Sequence, residues 1–204
     1  MPGPYFARLR TAAAGSFFPL IALIAALVLM GVLTYQGSGL VTITAPSGMM
    51  SLQQAGDTKT ATEIVECWTT KAGTEACWDA KAATKTPPDK LNQAAAIQVL
   101  LDFPFIVAYA YLFFALGCAA ARYASYRGLG RLARFATWTA AAALLAGCFD
   151  VIENIGLLSM IWFTTQPPLP CLTTLASFAK WGLIGISYLA SLVTLLWPVR
   201  QTAL

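Results

Sequence analysis

Four runs of apolar residues, each as long as the roughly 20 residues a helix needs to cross a bilayer, constrain this chain more than any other feature. Residues 16–35 carry no charge, 94–121 carry only Asp102, 135–163 carry Asp150 and Glu153, and 171–197 carry Lys180. Inside hydrocarbon every backbone N–H and C=O must be paired within the protein, and runs of this length achieve that as α-helices. The expected fold is all-α: a polytopic membrane protein whose single domain is a four-transmembrane-helix bundle. Composition agrees, since 58% of the 204 residues are hydrophobic and 11% are charged, against about 25% charged in soluble domains. Histidine is absent. That removes imidazole bases, the usual haem and di-iron ligands, His-bearing zinc sites and Ser-His or Cys-His nucleophile pairs.

Arginines set the expected orientation. Arg8 and Arg10 precede the first run, Arg122, Arg127, Arg131 and Arg134 fill the connector 122–134, and Arg200 follows the last run, with no acid among these segments. Basic short loops stay in the cytoplasm, so both termini and this connector are expected inside, with 36–93 as an external loop and a bacterial inner membrane as the location. The arginines also suit anionic lipid headgroups, and nothing points to nucleic acid. A secretory signal is the competing reading of the first run, with Gly37-Ser38-Gly39 as a small-residue site. Its apolar core exceeds the ~7 to 15 residues of such signals, which favours an uncleaved anchor. Pro19 is a candidate bend in this first span, which is expected to be peripheral or to face a partner, either another membrane protein or a second copy.

The external loop repeats a pattern, C-W-x-x-K-A-x-T, starting at Cys67 and again at Cys77. On one continuous helix these cysteines would lie about 15 Å apart, whereas a disulfide needs Cα atoms within roughly 7 Å. A Cys67–Cys77 bridge therefore requires a turn, for which Gly73 is available, and it would staple the loop in an oxidising exterior. A redox dithiol, pairing of Cys171 with either cysteine, and copper binding with Met49 and Met50 are weaker alternatives. Trp68 and Trp78 are expected to pack over the bridge, and Pro87 and Pro88 to lead into the second span. Cys118 and Cys148, within spans, read as small apolar residues.

The membrane-embedded charges form the candidate site. With the expected topology, Asp102 lies about 12 Å, Lys180 about 14 Å, Glu153 about 15 Å and Asp150 about 20 Å from the external ends of their helices. Asp150, Glu153 and Asn154 share one face of span three, and Gln98, Asp102 and Tyr109 share one face of span two. On span four, Thr173, Ser177, Lys180, Ser187 and Ser191 make a polar stripe. Each buried charge costs ~2.5 to 3.5 kcal/mol even on a lenient scale, so all four are expected to meet in the bundle interior. Pro104 is expected to kink span two and free the Leu100 carbonyl beside the cluster. Three acids against one lysine require a proton or a cationic ligand to restore balance. The alternative is an ion pair that only fixes packing.

The Asp150-Val151-Ile152-Glu153-Asn154 motif resembles one found in uncharacterised bacterial multi-span membrane proteins. The resemblance covers the last three spans and implies no activity. Ser177 and Lys180 match S-x-x-K, but the companion motifs of that hydrolase class are missing. Gly128-Leu129-Gly130-Arg131-Leu132-Ala133 imitates a dinucleotide loop without its preceding strand. No metal set, cofactor or catalytic residue is identifiable. Ala140 to Ala143 and Ala146 offer a smooth surface for a close helix neighbour. Three functions compete: binding or helping to transport a proton, cation or small amphipathic ligand; a structural or assembly subunit of a membrane complex; and an intramembrane enzyme using paired carboxylates on a lipid-like substrate. No internal inverted repeat supports a complete transporter.

Overall fold

The structure, a computed structural model, describes residues 17–69, 77 and 90–196. Arg8, Arg10, Gly73, Trp78, Pro87, Pro88 and Arg200 lie outside them. Among the described residues six α-helices form: α1 Phe18–Gly37, α2 Met49–Gln53, α3 Thr58–Trp68, α4 Leu91–Tyr126, α5 Gly130–Trp162 and α6 Leu169–Leu196. Four of them, α1, α4, α5 and α6, are long and apolar enough to cross a membrane, which makes this an integral membrane protein.

The long helices overrun the apolar stretches that announce them. The segment expected as a connector, 122–134, is mostly helix, and α4 and α5 are separated by Arg127–Leu129 alone. Gly128, with φ of 73°, makes this turn in the left-handed region that favours glycine. Arginines end the hydrophobic run but not the helix, because a helix satisfies its own backbone in water as well as in lipid. At ~1.5 Å per residue α4 is about 54 Å long, so it projects well beyond a hydrocarbon layer about 30 Å thick. Pro19 sits in the first turn of α1, where its missing N–H breaks no helical bond, so it starts the helix and does not bend it.

α4, α5 and α6 pack on one another, while α1 packs on α4 and, among the described residues, makes no substantial contact with α5 or α6. Small side chains let α4 and α5 approach closely. Ala136, Ala140, Ala143 and Ala146 are fully buried, and a Cβ added at Gly117 would stand 2.9 Å from the Ala140 Cα. Ser187 on α6 donates to the Thr139 carbonyl of α5 at 2.9 Å.

A cap of short helices covers one end of the bundle. Asp57 caps α3, accepting from the Thr60 N–H at 2.9 Å and the Thr60 hydroxyl at 2.8 Å. These donors, the backbone N–H first, hold its carboxyl below the ordinary aspartate value. Leu40, Leu52, Ile64 and Trp68 form one apolar core with Leu91, Ala95 and Val99 of α4 and Leu157, Met160 and Ile161 of α5. The Trp68 indole donates to the Leu40 carbonyl at 3.1 Å, so this tryptophan is part of the cap core. α3 ends directly after Cys67, and the disulfide to Cys77 joins Cα atoms 5.5 Å apart. Cys77 in turn accepts from the Ile43 N–H at 3.1 Å. Thr174 of α6 accepts from the Gly56 N–H and donates to the Gln53 carbonyl, which ties the cap to the last helix. Cys171 is exposed and takes no part in the disulfide.

Candidate functional site

Lys180, on α6, is 5% exposed and reaches two acids of α5. Its Nζ lies 2.8 Å from Asp150 Oδ1 and 2.7 Å from Glu153 Oε2. The i, i+3 spacing of Asp150 and Glu153 places both carboxylates on one helical face, so a single ammonium can sit between them. The contact with Asp150 is a hydrogen bond. That with Glu153 is a close charge contact off hydrogen-bond geometry, and neither carboxylate oxygen of this fully buried residue has a hydrogen-bond partner. The Tyr109 hydroxyl of α4 donates to Asp150 Oδ2 at 2.6 Å, and Asn154 Nδ2 donates to Asp102 Oδ2 at 2.8 Å. Four sequence-selected residues thus join three helices in one cluster at Asp150, and Asn154 and Asp102 form a second pair between α5 and α4.

Two expected members stand apart. Gln98 turns toward α1, where Nε2 donates to the Leu33 carbonyl at 3.4 Å, because Gly37 leaves space for the amide at that helix crossing. Ser177 is buried one turn before Lys180, within the stripe that also buries Thr173, Ser187 and Ser191. Nor does the Leu100 carbonyl join the cluster. Leu100 and Pro104 occupy one face of α4 at i and i+4, and both are exposed, so the carbonyl freed by the proline lies away from Lys180. α4 runs through Pro104 as one helix.

Beside the cluster is a cavity of about 750 Å³, not fully enclosed, that the sequence did not reveal. α4 forms its back with Asp102, Phe105, Tyr109 and Phe113; α1 forms one wall with Leu23, Leu27 and Met30; Lys180, Trp181 and Ile184 of α6 form another. Met49, Met50 and Gln53 of α2 cover the cap end. The α1 residues recur at i, i+4 and i+7, a stripe hidden in the sequence because α1 is apolar all round. The charged groups of the cavity wall are Asp102, Asp150 and Lys180, accompanied by Tyr109 and Asn154; Gln98, Thr34, Ser38, Ser47 and Gln53 add neutral polar groups, and Glu153 and Ser177 do not line it. A concave apolar chamber of several hundred Å³ with a few convergent polar groups is the usual form of a small-molecule site. Among the described residues, no three Cys, Asp or Glu side chains come together as a metal-binding group.

Comparison with protein-family models, curated proteins and solved structures finds no match to this chain. Function is therefore argued from the site alone.

Proposed function

We propose that this protein binds a small amphipathic molecule drawn from the membrane, with the polar head at the Asp102–Tyr109–Asp150–Lys180 wall and the apolar part along α1. The observation that carries this reading is the position of the charged groups on the wall of a largely apolar chamber of about 750 Å³. An ion pair needed only for packing requires no such space, and a proton or bare ion would leave most of it unused. α1 and α6 both line the chamber and, among the described residues, make no substantial contact with each other, which favours entry from the bilayer between them.

Orientation belongs to the same proposal. Arg122, Arg127, Arg131 and Arg134 are all exposed at the α4–α5 turn, while the disulfide-bearing cap is at the opposite end of these helices. We place the arginines in the cytoplasm against anionic headgroups and the cap outside, in a bacterial inner membrane. In a background lacking Cys118, Cys148 and Cys171, an impermeant thiol reagent applied to intact cells should label Lys59→Cys and spare Arg127→Cys; the reverse pattern rejects this orientation.

The binding reading is tested by extracting the protein in native lipid discs and identifying co-purified small amphiphiles by mass spectrometry. A species enriched over bulk lipid should accompany the wild type and disappear when Leu27→Trp and Met30→Trp fill the chamber. Equal recovery from both proteins, or no enriched species, counts against a binding cavity.

A further inference from the structure

The acids of the site differ in what already satisfies them. Asp150 has the Lys180 ammonium and the Tyr109 hydroxyl, and Glu153 has Lys180. Asp102 lines the cavity with only a neutral donor, Asn154, in contact; among the described residues no lysine or arginine pairs with it. One turn away on α4, Gln98 also lines the cavity. Its Nε2 is committed to the Leu33 carbonyl, which fixes the amide orientation and leaves Oε1 buried without a hydrogen-bond partner. A carboxylate short of donors therefore stands on the wall of a largely apolar chamber, with the sealed Gln98 amide oxygen one turn away on α4.

Head groups respond to this wall differently. A carboxylate or phosphate head would place like charge against Asp102 where little water screens it. A hydroxyl would supply one donor and no charge. A protonated amine supplies positive charge and several N–H donors together, and hydrogen bonds between charged partners are about twice as strong as neutral ones. From Asp102 to Phe113 the chamber follows α4 for about 16 Å, the reach of an extended chain of roughly a dozen methylenes.

We propose that the ligand is a cationic amphiphile, a long-chain primary or secondary amine whose ammonium is held by Asp102 and whose chain lies between α1 and α6 along Leu27, Leu23 and Ile184. This deepens the binding reading above and rests on it.

The test uses full-length protein in phosphatidylcholine nanodiscs and four probes. Each has an eleven-carbon chain with a dansyl group at one end; the other end carries a primary amine, a trimethylammonium, a hydroxyl or a carboxylate. Dansyl emission above that from empty discs reports binding. In the wild type the amine should bind at least about tenfold tighter than the hydroxyl, the size expected for one charge-assisted hydrogen bond. Trimethylammonium, which keeps the charge and loses the N–H donors, should fall between them. In Asp102→Asn, amine and hydroxyl should bind within about twofold of each other, with a wild-type circular-dichroism spectrum as the sign that the bundle has folded. Equal binding of amine and hydroxyl by the wild type, or tightest binding of the carboxylate, overturns the ammonium assignment while leaving the binding cavity standing. An undiminished amine preference in Asp102→Asn overturns the role of Asp102. Should that variant not fold, the ranking of the four heads on the wild type decides the matter. Binding of none of the probes above empty discs overturns both this proposal and the cavity reading beneath it.

Discussion

Replacing Lys180 with methionine keeps a long apolar side chain and removes the ammonium, which isolates the contribution of one charge. That charge lies 2.8 Å from Asp150 and 2.7 Å from Glu153, with all three side chains nearly sealed from solvent. At an effective dielectric of about 20, unit charges this close attract by roughly 6 kcal/mol. Two such terms do not add to a net stability, because removing each ion from water costs several kcal/mol. The variant instead measures the cost of stranding the acids, and losing one partner of a buried pair typically costs about 3 to 5 kcal/mol. Asp150 keeps the Tyr109 hydroxyl, so the loss falls mainly on Glu153. Lys180→Met is therefore expected to destabilise the bundle by about 3 to 5 kcal/mol, and Lys180→Met with Glu153→Gln by only about 1 to 2 kcal/mol. Reversible unfolding in mixed dodecylmaltoside–SDS micelles, followed by circular dichroism, gives each difference. A single variant within about 0.5 kcal/mol of wild type, or a double variant whose loss equals the sum of the singles, refutes the argument.

Three further perturbations have expected outcomes. Reducing the Cys67–Cys77 bond releases a constraint worth about 2 to 3 kcal/mol for a loop this short; amide exchange should rise in α3 and around Ile43 while α4 to α6 stay protected, and uniform loosening would contradict a local staple. Gly117→Ala drives a Cβ to 2.9 Å from the Ala140 backbone and should cost about 1 to 3 kcal/mol, whereas Gly31→Ala, with nothing within 4 Å, should be neutral or stabilising in the same unfolding assay. Because folding lowers the Asp57 carboxyl below its ordinary value of 3.8, its contribution is complete above that pH and is lost as pH falls through the lowered value; amide protection at the start of α3, measured against the intrinsic exchange rate at each pH, should fall below pH 3.8 in wild type and show no such step in Asp57→Ala.

What the sequence made legible was whatever hydrocarbon makes expensive. Asp150, Glu153 and Lys180 stand out because a charge in an apolar run must find a partner, and their helical spacing was enough to bring the acids to one ammonium. The disulfide was legible because two cysteines in a repeated motif needed only a turn, which the end of α3 at Trp68 allows. Less was visible where polarity does not vary. Nothing distinguishes Leu23, Leu27 and Met30 from the lipid-facing residues of α1, so the wall of the cavity was hidden, and Gln98 was assigned to the cluster because Gly37, which draws it to α1, leaves no polar trace. The proline effect failed for a directional reason: the side of α4 that bears Pro104 is set by packing, not by its separation from Asp102.

The shared core of the cap has a consequence for the order in which the protein can be made. Leu40, Leu52, Ile64 and Trp68 leave the ribosome before Leu91, Val99, Leu157 and Met160, yet they have no complete core without them. The cap must therefore wait, with apolar side chains unburied, until α4 and α5 have been inserted and paired. Closure of the cap core therefore follows the pairing of α4 with α5, and a chain that stops before that step leaves Trp68 without the residues that bury it.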